Sequence, residues 1–126
     1  ITNTSALAFG GQNPPTLYAN TELWNGSSWT EVGDMNTARQ EVASAGTPTG
    51  ALASGGHISA AQSLVEEWNG TSWTEVADLT TGLRELQGGA GVTNSNAITF
   101  GGKTTNVVAT TNEWTKSEAN LDVTLS

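Results

Sequence analysis

Cysteine is absent from this chain of 126 residues, and histidine occurs once. Without thiols there are no disulfides, thiolate metal sites or thiol nucleophiles, and a single imidazole makes no zinc site by itself. Missing disulfides leave the compartment open. Basic residues are scarce too: four Lys and Arg stand against twelve Asp and Glu, a formal net charge of −8. A surface of that sign repels nucleic-acid phosphates and gains nothing from anionic lipid, so neither is an expected partner, and the charge reads as solubility. No apolar run approaches the roughly 20 residues that span a bilayer, so membrane insertion is not expected. The start does not read as a basic, apolar signal peptide. Ile1 in place of an initiating Met is expected of a processed chain or a piece of a longer one.

Charged residues make up 13% of the chain and hydrophobic ones 36%, while Gly alone occurs 15 times. With Thr, Ser, Asn and Ala filling much of the rest, this is poor material for helices and good material for short strands joined by turns. The length allows one domain with a modest core.

Two nonapeptides, Trp24-Asn25-Gly26-Ser27-Ser28-Trp29-Thr30-Glu31-Val32 and Trp68-Asn69-Gly70-Thr71-Ser72-Trp73-Thr74-Glu75-Val76, differ only by Ser against Thr and lie 44 residues apart. A second element recurs in register: Ala6-Leu7-Ala8-Phe9-Gly10-Gly11, Ala51-Leu52-Ala53-Ser54-Gly55-Gly56 and Ala97-Ile98-Thr99-Phe100-Gly101-Gly102, with diglycine intervals of 45 and 46. A period of this size carried by strand-like segments signals a toroid of repeated blades or a solenoid.

The central unit predicts four antiparallel strands: Arg39–Gly46, Ala51–Ser54, Ser63–Trp68 and Trp73–Val76. Pro48-Thr49-Gly50 is a turn signal. Asn69-Gly70 predicts a tight hairpin whose two central residues take positive φ. The unit boundaries fall at 1–34, 35–79 and 80–126. The first unit lacks its first strand. The third aligns Arg84 with Arg39 and Gly91 with Gly46, each at a spacing of 45, and loses the Asn-Gly and second Trp after Trp114. The segment 119–126 lies without a gap against 38–45, Asp122 opposite Glu41 and Val123 opposite Val42. It is either a fourth strand of the third unit or a closing first strand for the first unit of this or another copy. Arg39 and Arg84 are expected to reach Glu or backbone carbonyls of the next unit. The Trp pairs are expected to bury large aromatic area between units.

Diglycine after the second strand, an aromatic after the third and Trp-Thr opening the fourth resemble kelch repeats. The residues are Phe9-Gly10-Gly11, Trp24 and Trp29-Thr30; Gly55-Gly56, Trp68 and Trp73-Thr74; and Phe100-Gly101-Gly102 with Trp114. The Glu-x-Trp-Asn-Gly-x-Ser-Trp-Thr form, with Asn36-Thr37-Ala38-Arg39, is similar to kelch-like repeats of bacteriophage structural proteins and some bacterial surface proteins. Two departures stand out: Trp replaces the usual third-strand Tyr, and the third unit has no second Trp. The resemblance implies an all-β fold, a β-propeller of four-stranded antiparallel blades, with about 2.75 blades present where closed rings have four to eight. The expected partners are therefore other copies of the chain or the rest of a longer one. The implied function is a non-enzymatic structural or adhesion module of a phage virion or cell surface. The alternatives are a fragment of a propeller glycan-active enzyme and a bacterial surface lectin.

Function is sought where the repeats differ, in the loops after the diglycines: residues 12–18, 57–61 and 103–106. Loops on a rigid scaffold are the usual place for recognition. Asn13, Tyr18 and His57 are the candidate ligand contacts, with a cell-surface glycan as the candidate ligand. Glu66-Glu67, Glu75 and Asp78 form an acidic cluster of the kind that serves glycoside hydrolysis. However, Glu22 and Glu31 recur at matching positions and Glu113 recurs in the third unit, which favours a structural role. No cofactor and no metal site is expected; of the Asn-x-Ser/Thr matches at Asn3, Asn25 and Asn69, the latter two are explained by hairpin turn chemistry.

Overall fold

The computed structural model describes residues 3–93, 95–116 and 121–125, and for 87–93 and 121–125 the strands alone. Thirteen strands are described: β1 (Ala6–Phe9), β2 (Gln12–Asn13), β3 (Thr16–Leu17), β4 (Thr21–Trp24), β5 (Trp29–Glu31), β6 (Ala43–Thr47), β7 (Gly50–Ser54), β8 (Val65–Trp68), β9 (Trp73–Glu75), β10 (Gln87–Thr93), β11 (Asn96–Phe100), β12 (Thr111–Lys116) and β13 (Leu121–Leu125). They form antiparallel sheets in chain order: β1-β4-β5, β6-β7-β8-β9 and β10-β11-β12-β13, with β2-β3 as a small separate hairpin. The arrangement is all-β and consistent with part of a β-propeller.

The second sheet buries both faces: every residue is buried in β7, a run of small and apolar residues, and in β8, Val65-Glu66-Glu67-Trp68. On one side Ala51, Ala53, Trp68 and Trp73 pack with Met35 against Leu7 and Phe9 of the first sheet. On the other, Ala43, Ala45, Leu52 and Val65 pack with Leu79, Leu83 and Leu86 against Ala97 and Trp114 of the third. Alternate residues of one strand thus serve two interfaces. The indole of Trp73 meets the Phe9 ring edge-on at 4.7 Å and donates Nε1–H to Thr21 Oγ1 at 2.9 Å. Trp29 holds the same place in the first sheet and is 49% exposed, because the described residues hold no sheet beyond it. Burial of the tryptophans is therefore a property of the interface and not of the repeat.

The Trp-Trp hairpins correct one expectation. Trp24 pairs with Trp29 and Trp68 with Trp73, so four residues, 25–28 and 69–72, form each loop. Only the glycines, Gly26 and Gly70, have positive φ. The asparagines act through their side chains: Asn25 Oδ1 accepts from the amides of Ser27 and Ser28, and Asn69 Oδ1 from those of Thr71 and Ser72, all at 2.9 Å. A side-chain carbonyl here substitutes for backbone turn bonds. Pro48-Thr49 does form a two-residue turn between Thr47 and Gly50.

The first strand of the second sheet is shorter than the predicted Arg39–Gly46. It starts at Ala43, because Glu41 sits at φ 57 and its neighbours bond to other segments. Glu85 repeats this left-handed conformation at φ 54 in the next connection. The two positions identify the true register of the connections. Gly11 N donates to Arg39 O at 2.9 Å and Gly56 N to Leu83 O at 2.8 Å. Gln40 bridges to His57 and Arg84 to Lys103. Leu83, not Arg84, therefore stands where Arg39 stands, and Arg84 stands where Gln40 does. Two register shifts within β10, between Gly88 and Ala90 and between Ala90 and Thr93, then lengthen the repeat from 44 to 46. A gap-free alignment centred on Gly91 averages over both bulges and misplaces the arginine.

The C-terminal strand β13 pairs antiparallel with β12, Trp114 opposite Val123 and Lys116 opposite Leu121. It is the fourth strand of the third sheet, which settles the two readings of the tail against a strand closing the first unit in this structure. Residues 119, 120 and 126 lie outside the described ones. β12 itself runs on through Lys116, two residues past Trp114.

Candidate functional site

Each diglycine follows β1, β7 or β11 and launches a short spur. Gly10 and Gly11, Gly55 and Gly56, and Gly101 and Gly102 all have positive φ. The amides of Tyr18, Gln62 and Val108 return to the carbonyls of Gly11, Gly56 and Gly102 at 3.0, 2.8 and 3.0 Å. In the first sheet the spur is the β2-β3 hairpin; in the others His57 bridges to Ala61 and Lys103 to Val107. Close approach dictates Gly10 and Gly55: a Cβ there would lie 2.7 Å from Arg39 O and 2.5 Å from Leu83 O.

The spurs of the second and third sheets flank a depression of 570 Å³ with a mixed polar and apolar lining, with Gly82 and Arg84 of the connection between them. His57, Ser59, Ala60 and Ala61 line one side, Thr104 and Thr105 the other. His57 is held by main-chain bonds in both directions with Gln40, at 2.8 and 3.1 Å. Its Nδ1 lies 3.3 Å from Gln40 Nε2. A carboxamide nitrogen only donates, so Nδ1 stands as the acceptor in this contact. Arg84 Nη1 is 3.9 Å from Glu41 Oε2, an ion pair too long to be a hydrogen bond, and both side chains are about a quarter exposed. Lys103 and Glu85 form a second loose pair at 3.8 Å. The depression thus offers a cation and several hydroxyls, none committed to a tight internal contact.

Of the three candidates read from sequence, His57 alone lines this depression. Tyr18 lines a different one of 340 Å³, on the first sheet, with Ala8, Phe9, Gly10, Gly11, Gln12, Asn20 and Glu22. Asn13 is exposed in β2 and belongs to neither lining. Arg84, Thr104 and Thr105 were not singled out, since the misplaced alignment gave Arg84 the structural role of Arg39.

The acidic cluster does not converge. Glu66 and Glu67 are neighbours in β8, so their carboxylates project to opposite faces. Glu66 is fully buried and ion-paired to Arg39, itself fully buried. Glu66 Oε1 accepts from Asn36 N at 2.6 Å and Asn36 Nδ2 at 2.9 Å. Arg39 also donates to the carbonyls of Gly55, Thr37 and Ala53, at 2.8, 3.1 and 3.3 Å. The pair is a structural clamp within the second unit, a correction to the expected contact with the next one. Glu67 faces the third sheet and pairs with Lys116. Glu75 is exposed on β9, and Asp78 accepts from Ser63 Oγ at 3.0 Å. In the third sheet Asn112 occupies the place of Glu66, opposite Thr99 as Glu66 is opposite Ala53, and Glu113 follows Glu67. Among the described residues no group of three or more His, Asp or Glu converges as a metal ion requires.

The fold defines an all-β chain of successive antiparallel sheets packed face to face. Among solved structures it is similar to one titled "Structure of YjhT", with a TM-score of 0.77 over 96% of this chain at 11% identity. The chain spans 42% of that protein's length, and at this identity the likeness concerns the fold. No protein-family model and no curated protein matches the chain.

Proposed function

We propose that the chain is a kelch-like β-propeller segment of just under three blades. It serves as a non-enzymatic structural or adhesion module of a virion or cell surface, completing its ring with further blades or other copies. The observation that carries the recognition role is the depression between two spurs, where His57, Ser59, Arg84, Thr104 and Thr105 line one cavity with Ala60, Ala61 and Gly82. Hydroxyls, an imidazole and a loosely paired guanidinium suit a hydroxyl-rich ligand such as a surface glycan. The carboxylates that would serve hydrolysis are occupied instead: Glu66 is inaccessible, and Glu67 faces the other way. That supports binding without turnover.

The test is a glycan array probed with the purified chain, followed by measurement of reducing ends released from any glycan retained. Binding lost on Arg84→Ala, with no release, is the expected result. Release that disappears in Glu66→Gln or Glu67→Gln refutes the reading in favour of a glycan-active enzyme.

A further inference from the structure

We infer that the depression between the second and third spurs takes an acidic sugar, a glycan residue bearing a carboxylate or sulfate, whose charge Arg84 and Lys103 read together; the assignment deepens the glycan reading and rests on it. The chain carries four basic residues. Two are spent on tight ion pairs, Arg39 with buried Glu66 and Lys116 with Glu67. The other two, Arg84 and Lys103, stand directly opposite each other. Arg84 N donates to Lys103 O at 3.0 Å and Lys103 N to Arg84 O at 2.8 Å, an antiparallel bridge tying the connection to the third spur. Residues opposed in this way project their side chains to one face, with Cβ atoms about 5 Å apart.

Like charges directly opposed destabilise such a bridge, so the fold does not call for this pair. The equivalent bridge one unit earlier joins Gln40 to His57 through the same two main-chain bonds. There the side chains also approach each other, Gln40 Nε2 lying 3.3 Å from His57 Nδ1. The bridge is thus built without two cations where the depression does not need them. The cation pair is peculiar to the connection that borders it, and the repeats differ there in charge as well as in loop sequence.

Neither cation is satisfied from within. Among the described residues Arg84 Nη1 comes no nearer a carboxylate than 3.9 Å, at Glu41 Oε2, and Lys103 Nζ no nearer than 3.8 Å, at Glu85 Oε1, both beyond hydrogen-bond length. Glu41 Oε2 is buried with no hydrogen-bond partner, so it moderates the charge of Arg84 without occupying its donors. Arg84 lines the depression, and Lys103 precedes the lining residues Thr104 and Thr105. A guanidinium forks a carboxylate through two parallel N–H bonds and also takes sulfate oxygens. Hydroxyls of Ser59, Thr104 and Thr105 face the same space, whose 570 Å³ falls within the roughly 300–1,000 Å³ of small-ligand pockets. One small ring that carries both an anion and hydroxyls meets all of these groups. At a net charge of −8 the chain repels polyanions at long range, so the anion is held by these short-range bonds.

The experiment titrates three oligosaccharides of one length into the isotope-labelled chain and follows amide chemical shifts: an oligogalacturonate, its methyl ester and a sulfated galactan fragment. The ester removes the charge and keeps the ring hydroxyls. The uronate is expected to bind about tenfold or more tighter than the ester, the scale of hydrogen bonds to a charged group, with shifts centred on the lining residues. Lys103→Gln, outside the lining, should weaken the uronate severalfold and leave the ester unchanged. Arg84→Gln should weaken both, the uronate more. Glu41→Gln removes a competing carboxylate and should strengthen the uronate alone. All three side chains are partly exposed, and tryptophan fluorescence checks that the variants stay folded. A sulfated fragment bound as tightly as the uronate supports an anion site that reads charge; one bound more weakly supports the planar carboxylate fork. Equal affinity for uronate and ester, or uronate binding indifferent to Lys103→Gln and Glu41→Gln, overturns the inference and leaves the glycan reading standing. No shift with either charged oligosaccharide overturns it too, and retention of a neutral glycan on the array then keeps the glycan reading.

Discussion

Replacing Arg39 by Leu tests the central clamp of the second sheet. The change removes the charge partner of a fully buried carboxylate and the donors to three carbonyls, those of Thr37, Ala53 and Gly55. Asn36 still donates twice to Glu66 Oε1, so the carboxylate is not left bare. Breaking one side of a buried pair costs about 3–5 kcal/mol, and the surviving Asn36 bonds place the expected loss near the lower end, about 3 kcal/mol. The third sheet shows what a neutral version looks like: Leu83 replaces the arginine and Asn112 the glutamate. Adding Glu66→Asn to Arg39→Leu should therefore recover roughly half of the loss, about 1–2 kcal/mol, so that the coupling exceeds this recovery by the cost of Glu66→Asn alone. The assay is a double-mutant cycle by equilibrium urea unfolding. Protein concentration is held fixed, because any self-association makes apparent stability concentration-dependent. A loss below about 1 kcal/mol for Arg39→Leu, or a double variant no better than the single one, would falsify the argument that burial makes the two residues interdependent.

The reverse exchange should behave as its mirror. Asn112→Glu alone buries an unpaired carboxylate and is expected to cost about 3 kcal/mol or more, and Leu83→Arg, at the position matching Arg39, should restore part of that, both read by the same unfolding assay. The tryptophans should separate by interface: Trp73→Ala is expected to cost about 3–5 kcal/mol and Trp29→Ala under about 1 kcal/mol, since one is buried and hydrogen-bonded and the other half exposed. Equal losses would mean that the repeat and not the interface sets their worth. Gly55→Ala should destabilise more than Gly11→Ala, because both share the positive-φ strain but only the former drives a Cβ into Leu83 O; thermal melts compare them. Finally, analytical sedimentation should find the 13.0 kDa chain associated, since an unpaired strand edge and exposed apolar residues such as Ile98 and Phe100 favour contacts; a persistent monomer would count against completion by other copies.

Local chemistry makes much of this architecture legible without coordinates. Gly-Gly, Asn-Gly and Pro-Thr-Gly constrain only their immediate backbone, and alternation needs only period two, so the repeat, the strands and the turns follow from the sequence. The missing first strand of the first unit is equally plain. Where a side-chain bond or a bulge decides the outcome, the residue pattern is ambiguous. Asn25 and Asn69 turn their carbonyls onto amides two and three residues ahead and so widen the predicted hairpin. Two bulges in β10 displace Arg84 from the slot that a constant spacing assigns it, and with it goes one lining residue of the depression between the spurs.

What the sequence alone determined is therefore the unit: its length, its four-strand plan, its punctuation by glycine, and the acidic, thiol-free surface. Those are properties of neighbouring residues and of composition. What tertiary structure decided is the fate of residues that are identical on paper. Trp29 and Trp73 share one motif, yet only Trp73 has a sheet to cover it. Glu22 and Glu66 share one strand position, yet only Glu66 has an arginine. Burial belongs to the space between units, and no single repeat specifies what lies on its other side; the Arg39–Glu66 pair lies within one unit, and it needs an arginine that the first sheet lacks among the described residues.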